Sequence, residues 1–163
     1  MKLCMAQINT LVGDIGGNTQ RVLEVSAAQK AAGAQLVVFP ELTLTGYPPE
    51  DLLLRGDLLD RTEAALARLC AELPPDLAVV VGYPRGQEGV LFNSAGVISA
   101  GKLLAQYDKQ CLPNYEVFDE KRYFAAGTEP CIVDVDGFSV GLTICEDIWH
   151  PEPAAQAKVA GAE

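Results

Sequence analysis

Cys145 has more chemistry around it than any other residue of this chain. It closes the apolar, partly β-branched run Val140 to Ile144, the composition of a buried strand. Glu146, Asp147 and Trp149 follow it closely. A cysteine at a strand end can face a cleft instead of the core, which suits a nucleophile that must meet a substrate carbonyl. Both acids are expected at the mouth of that cleft, since two carboxylates are wasted in a core. They also disfavour a spontaneously ionised thiol, so a base must take the proton during attack. Glu41 is the candidate base. It follows the apolar run Leu36 to Phe39 and Pro40, whose ring stiffens the approach. In α/β sheets, ligands lie at the carboxyl ends of parallel strands. Lys109 follows the run Lys102 to Tyr107 and opens a long polar segment. A lysine there would donate to the oxyanion formed when a thiolate attacks an amide, together with the backbone amides of Cys145 and Glu146.

Taken singly, each residue has a plainer reading: an inert buried thiol, a solvated or helix-capping acid, a surface lysine. Together they share a position just past an expected strand end. With those strands running in one sense the three groups converge. The thiol then attacks, the carboxylate takes and returns protons, and the ammonium holds the developing charge. A small amine leaves, and water hydrolyses the thioester. On this reading Lys109→Met abolishes catalysis and spares the fold, because a surface lysine contributes little stability.

The elements that must position these groups are legible as patterns. Lys2 to Ile8 reads as a strand. Asn18 is the expected N-cap of a helix to about Ala32, stopped by Gly33. Leu36 to Phe39 has the composition of a buried parallel strand, and Glu41 to Glu50 that of a loop. Leu59, Thr62, Leu66, Leu69 and Leu73 repeat at helical spacing within a helix from about Asp57 to Leu73. Leu77 to Tyr83 is a further apolar strand. Val90 to Ser99 with Lys102 to Tyr107 reads as a hairpin turning at Ala100-Gly101. Cys131 to Val135 with Phe138 to Ile144 reads as another, turning at Asp136-Gly137. Between them, Asp108 to Pro130 is a long loop of the kind usually kept for function. Glu152 to Ala162 reads as a helix. This order predicts an α/β domain with a mixed sheet and helices on one face.

Composition narrows the partners. With 163 residues, 49% of them hydrophobic and 21% charged, the chain can bury a core as a single domain. A formal net charge of -10 argues against nucleic acid and against a polybasic membrane contact. No apolar run is long enough to span a bilayer and the first residues do not read as a signal peptide, so a cytoplasmic protein is expected. Five cysteines without a close pair fit free thiols, and a single histidine gives no expectation of a zinc site or other metal.

Phe39-Pro-Glu41, Tyr107-Asp-Lys109 and Ile144-Cys145-Glu-Asp resemble, in order, the three signature segments of the nitrilase (carbon-nitrogen hydrolase) superfamily. Three longer stretches resemble its glutamine amidotransferase branch, the glutaminase domain of glutamine-dependent NAD synthetases. These are Thr43-Leu-Thr-Gly-Tyr47-Pro-Pro-Glu-Asp51, the segment from Lys109 through Tyr115, Asp119 and Glu120 to Phe124, and Cys145-Glu-Asp-Ile-Trp149 with Pro151. The resemblance implies the first part of an α-β-β-α sandwich. It implies Glu41 as general base, Lys109 as electrostatic stabiliser and Cys145 as nucleophile. Glu120 falls where the superfamily often carries a supporting glutamate, with Glu116 as its competitor. Tyr47 and Tyr115 would line a glutamine pocket, and Glu146 would hold the substrate's amino-acid end or amide.

No cofactor is implied for this domain. ATP and Mg would serve a C-terminal NAD synthetase domain that accepts the ammonia, and a homo-oligomer is expected. The superfamily's domains are longer than this chain, so residues 1–163 are expected to be one incomplete hydrolase domain, an N-terminal piece with weak activity or none by itself. A stand-alone amidase on another small amide is the second reading. A non-catalytic binding module is the third.

Overall fold

In the computed structural model, which describes residues 1–163, the strands sort into a five-stranded sheet of order β1-β2-β3-β4-β5 and a separate pair, β6-β7. They are β1 Leu3–Met5, β2 Leu36–Val38, β3 Ala78–Gln87, β4 Val90–Ser99, β5 Lys102–Asp108, β6 Ile132–Val135 and β7 Phe138–Gly141. The helices are α1 Ile15–Ala31, α2 Gly56–Glu72 and α3 Pro151–Val159. β1, β2 and β3 pair in parallel, while β4 is antiparallel to both β3 and β5. Two reversals return β5 to the direction of β2, so both strands end on the same side of the sheet.

Strand periodicity builds the layers. Alternate residues of a strand point to opposite faces. Val37, Val79, Val81 and Ile98 pack with Val22 of α1 and Leu69 of α2 in one core. Leu36, Val80 and Val97 pack with Val133, Val135 and Ile144 in the other. One face of the large sheet therefore carries helices and the other carries the small sheet. α3 lies beyond the small sheet, so close that a Cβ on Gly141 would stand 3.1 Å from that of Ala157. This is the expected mixed α/β architecture.

Several boundaries differ from the sequence reading, each for a local reason. β1 is only three residues long. α1 starts earlier than expected because Asp14, not Asn18, caps it, its Oδ1 accepting from Gly17 N at 3.0 Å. Asn18 is buried within the helix and serves as a clamp. It accepts from Leu11 N at 2.9 Å and donates to Leu11 O at 2.8 Å and Leu44 O at 3.1 Å. β3 runs on to Gln87 and turns into β4 at Glu88-Gly89, with φ 51° and 80°. That two-residue hairpin was hidden by its polar composition. The expected turns at Ala100-Gly101 and Asp136-Gly137 show the same pair of positive φ values, as twisted hairpins favour. β7 stops at Gly141 rather than Ile144.

Gly82 of β3 is where the sheet receives the loop after β2. A Cβ there would stand 2.4 Å from Leu42 N and 2.9 Å from Pro40 O, both backbone atoms. Gly82→Ala must therefore displace the segment that carries Glu41. We expect a loss of about 1–3 kcal/mol, the usual cost of overpacking. Urea unfolding measures it, and a variant as stable as the parent would contradict the close approach.

Candidate active site

Glu41 leaves β2 through Phe39, whose N–H donates to Val80 O at 2.9 Å, and through Pro40. Lys109 is the first residue after β5 and is clamped on both sides. Its N–H donates to Asn93 O at 2.8 Å and its carbonyl accepts from Gly127 N at 2.8 Å. The side chain then runs inward. Lys109 is 0% exposed, the opposite of the surface lysine assumed from sequence. Its Nζ donates to Glu41 Oε1 at 2.7 Å and to both oxygens of Glu120 at 2.9 Å. Burial opposes the ammonium charge, but Glu41 and Glu120 outweigh it, and the lysine is held above its ordinary value. Burial pushes the Glu120 carboxyl up, against the pull of Lys109. Glu116 is exposed, with φ 52°, so Glu120 is the glutamate that meets the lysine.

Cys145 does not sit on a strand end. After β7, Leu142 N still donates to Cys131 O at 3.0 Å, and the chain then breaks into a single 3-10 turn, Cys145–Trp149. Cys145 opens this turn with φ 46°, a left-handed conformation uncommon for a residue with a Cβ. Its side chain is exposed. Burial and then the facing Glu41 carboxylate push the thiol up, while Lys109 pulls it down. Glu41 and Cys145 line one cavity of about 180 Å³, together with Gly82, Ala95 and Thr143 among others.

Asp147 is what holds this turn, and its placement corrects the expectation that both acids stand at a cleft mouth. Asp147 is 0% exposed. Oδ2 accepts from Tyr107 OH at 2.8 Å and from Ile144 N at 2.9 Å. Oδ1 accepts from Gln110 N at 3.1 Å and Cys111 N at 2.7 Å. One carboxylate thus ties the Cys145 turn to the end of β5, where Lys109 begins. Burial and Asp147 push the Tyr107 phenol far up.

The expected substrate-binding residues flank the cluster on two sides. Tyr47 OH donates to Glu120 Oε1 at 3.3 Å, at a depression of about 250 Å³ that both residues line. Tyr115 OH donates to Glu146 Oε2 at 2.9 Å, at another of about 520 Å³. Glu146 is also 3.4 Å from His150 Nε2. Glu41, Lys109, Cys145 and Glu120 are therefore brought together, with Tyr47, Tyr115 and Glu146 around them. Sequence reasoning missed Asn93 and the structural role of Asp147. Asn93 is 1% exposed and its Nδ2 donates to Glu41 Oε1 at 2.6 Å. Its signal was the polar pair Asn93-Ser94 inside the largely apolar β4.

The arrangement sets the pH response of the thiol. Alkylation of Cys145 by iodoacetamide is expected to accelerate only above the ordinary cysteine range, about pH 8.5. Glu41→Gln removes a carboxylate that raises the thiol and leaves Lys109, which lowers it. The alkylation midpoint should then move to lower pH. Peptide mass spectrometry over a pH series reads this, and a midpoint that stays put or rises would show that Glu41 does not act on the sulfur.

Comparison with known proteins gives the family and the fold. The carbon-nitrogen hydrolase family model matches residues 2–163. The chain is 45% identical over its whole length to a glutamine-dependent NAD(+) synthetase of Xanthomonas campestris, covering 30% of that protein. It is 42% identical, again over its whole length, to one of Aquifex aeolicus, covering 29%. The chain thus spans under a third of the curated relatives it matches. Among solved structures, glutamine-dependent NAD+ synthetase from Acinetobacter baumannii, in complex with ADP, superposes with TM-score 0.94 at 39% identity, over 99% of this chain and 30% of that one. An amidase variant from Nesterenkonia sp. AN1, with acrylamide added at its active-site cysteine, superposes with TM-score 0.89 at 27% identity, over 100% of this chain and 64% of that one.

Proposed function

Because the chain belongs to the carbon-nitrogen hydrolase family, we propose that it is the glutamine-hydrolysing part of a glutamine-dependent NAD synthetase. The observation that carries this reading is the buried Lys109 ammonium shared by Glu41 and Glu120, beside the exposed thiol of Cys145. Identity of 45% to a named synthetase supports the choice of branch.

Glu41 takes the Cys145 proton as sulfur attacks the side-chain amide carbon of glutamine. The tetrahedral oxyanion is stabilised by Lys109. Glu41 returns the proton to the departing nitrogen, ammonia leaves, and a thioester remains. Water, deprotonated by Glu41, adds to the thioester; its collapse frees glutamate and regenerates the thiol. Glu120 keeps Lys109 charged and aimed, and Tyr47, Tyr115 and Glu146 bind the amino-acid end of glutamine. No metal or cofactor takes part in these steps. Residues 1–163 form one incomplete hydrolase domain of a longer, cytoplasmic, homo-oligomeric enzyme. Its synthetase domain uses ATP and Mg to join the ammonia to deamido-NAD.

An electrophilic glutamine analogue tests this reading on the full-length protein. One label on Cys145, blocked by glutamine and absent from Cys145→Ala, is expected. Labelling spread over the five cysteines would instead favour a non-catalytic module. The structural match to an amidase favours one rival, a stand-alone amidase. Turnover of other small amides with glutamine ignored would establish that rival.

A further inference from the structure

Four observations single out Asn93, which no step above uses. It is 1% exposed on β4, a strand that contributes none of the acid, base or nucleophile. Its Nδ2 donates to Glu41 Oε1 at 2.6 Å, the same oxygen that Lys109 Nζ reaches at 2.7 Å. Its carbonyl accepts the N–H of Lys109 at 2.8 Å. Its Oδ1 is buried with no hydrogen-bond partner. A buried acceptor left unpaired is costly, and native structures keep few of them. Turning the amide over would not cure this. It would set oxygen against the Glu41 carboxylate and strand the NH2 group instead.

We propose that Asn93 is a positioning residue that holds the Glu41 carboxylate in one orientation, with Oε1 committed to Asn93 and Lys109 and Oε2 left as the oxygen that exchanges protons with Cys145 and the leaving amine. Two donors on Oε1 oppose rotation of the carboxylate. Backbone and side chain of one residue thereby register the lysine against the base, from a strand lying between them. The inference rests on the acid–base role given to Glu41 and is indifferent to which amide is cleaved.

The test is a double-mutant cycle in the full-length protein, with Asn93→Ala, Asn93→Asp, Glu41→Gln and Asn93→Ala/Glu41→Gln. Asn93→Ala is expected to lower kcat by about 10- to 100-fold, no more than the lower end of the about 10²–10⁴-fold that a general base contributes, with KM little changed. Asn93→Asp keeps the shape but sets a second carboxylate against Glu41 in place of a donor, so its kcat should fall further. In the Glu41→Gln background, Asn93→Ala should cost almost nothing more, since the group it orients is gone. The proposal is overturned if Asn93→Ala costs as much activity in that background as in the parent. It is equally overturned if only the melting temperature falls while kcat stays in place. If the parent cleaves another amide and ignores glutamine, the proposed function fails, and the same cycle on that amide still decides the role of Asn93.

Discussion

The full-length protein carrying Lys109→Met is expected to lose glutamine hydrolysis by at least about 10²–10³-fold, the usual effect of removing one oxyanion donor. It is also expected to lose stability, where sequence alone suggested an intact fold. The reason is burial. Lys109 is enclosed with Glu41 and Glu120, which are 17% and 6% exposed at their side chains. Methionine fills most of the volume but leaves two carboxylates facing each other without a counter-charge. Breaking a buried ion pair by removing one partner typically costs about 3–5 kcal/mol. Part of that is recovered if a carboxyl protonates, so the variant should regain stability on acidification relative to the parent. The lysine is held above its ordinary value, so the parent's stabilisation is complete at neutral pH. It is lost only as pH rises through the lysine range. Urea midpoints at several pH values and steady-state kinetics check both halves. A Met variant as stable as the parent at neutral pH would mean that Lys109 is not the charge balancing this cluster.

Asp147→Ala is the second large effect, and it falls first on folding. The substitution strands the donors of Tyr107, Gln110, Cys111 and Ile144, all of which now meet one carboxylate. Bonds to a charged acceptor contribute about 1.5–3 kcal/mol each, and they do not add fully. A loss of at least about 4 kcal/mol is expected, against a total stability of about 5–15 kcal/mol for an ordinary domain. Asp147→Asn keeps the shape and one accepting oxygen, so it should fall between the two. Activity should fall more steeply than stability, because the Cys145 turn and the Lys109 segment lose their shared anchor. Denaturant unfolding with the order parent, Asn, Ala is the expected result. An Ala variant within about 0.5 kcal/mol of the parent, an ordinary surface effect, would remove Asp147 from this role.

Glu41, Lys109 and Cys145 were legible in the sequence because each stands beside a hydrophobic run; for Glu41 and Lys109 the run reports where a strand stops, whereas the strand before Cys145 already ends at Gly141. The buried elements were legible for a like reason: the continuous apolar runs Leu36 to Phe39 and Leu77 to Tyr83 have the composition of buried strands, and the helical spacing from Leu59 to Leu73 states which helix face is covered. The Ala100-Gly101 and Asp136-Gly137 turns were readable from local backbone chemistry. What depends on one segment and its own conformational preference, or on a pattern of burial, is written along the chain.

Whether an acid points at solvent or at a partner is decided by residues remote in sequence. Asp147 reads like Glu146, yet Asp147 is wholly buried because donors from Tyr107, Gln110 and Cys111 arrive from more than thirty positions away. Lys109 reads as a surface residue until Glu41, 68 positions distant, and Glu120 close over it. Asn93 has no meaning until β4 lies between β3 and β5. Sequence determined which groups were present and which hydrophobic runs they follow. Only the packed fold decided which charges would be neutralised, because burying a charge is favourable only once its partners are in place.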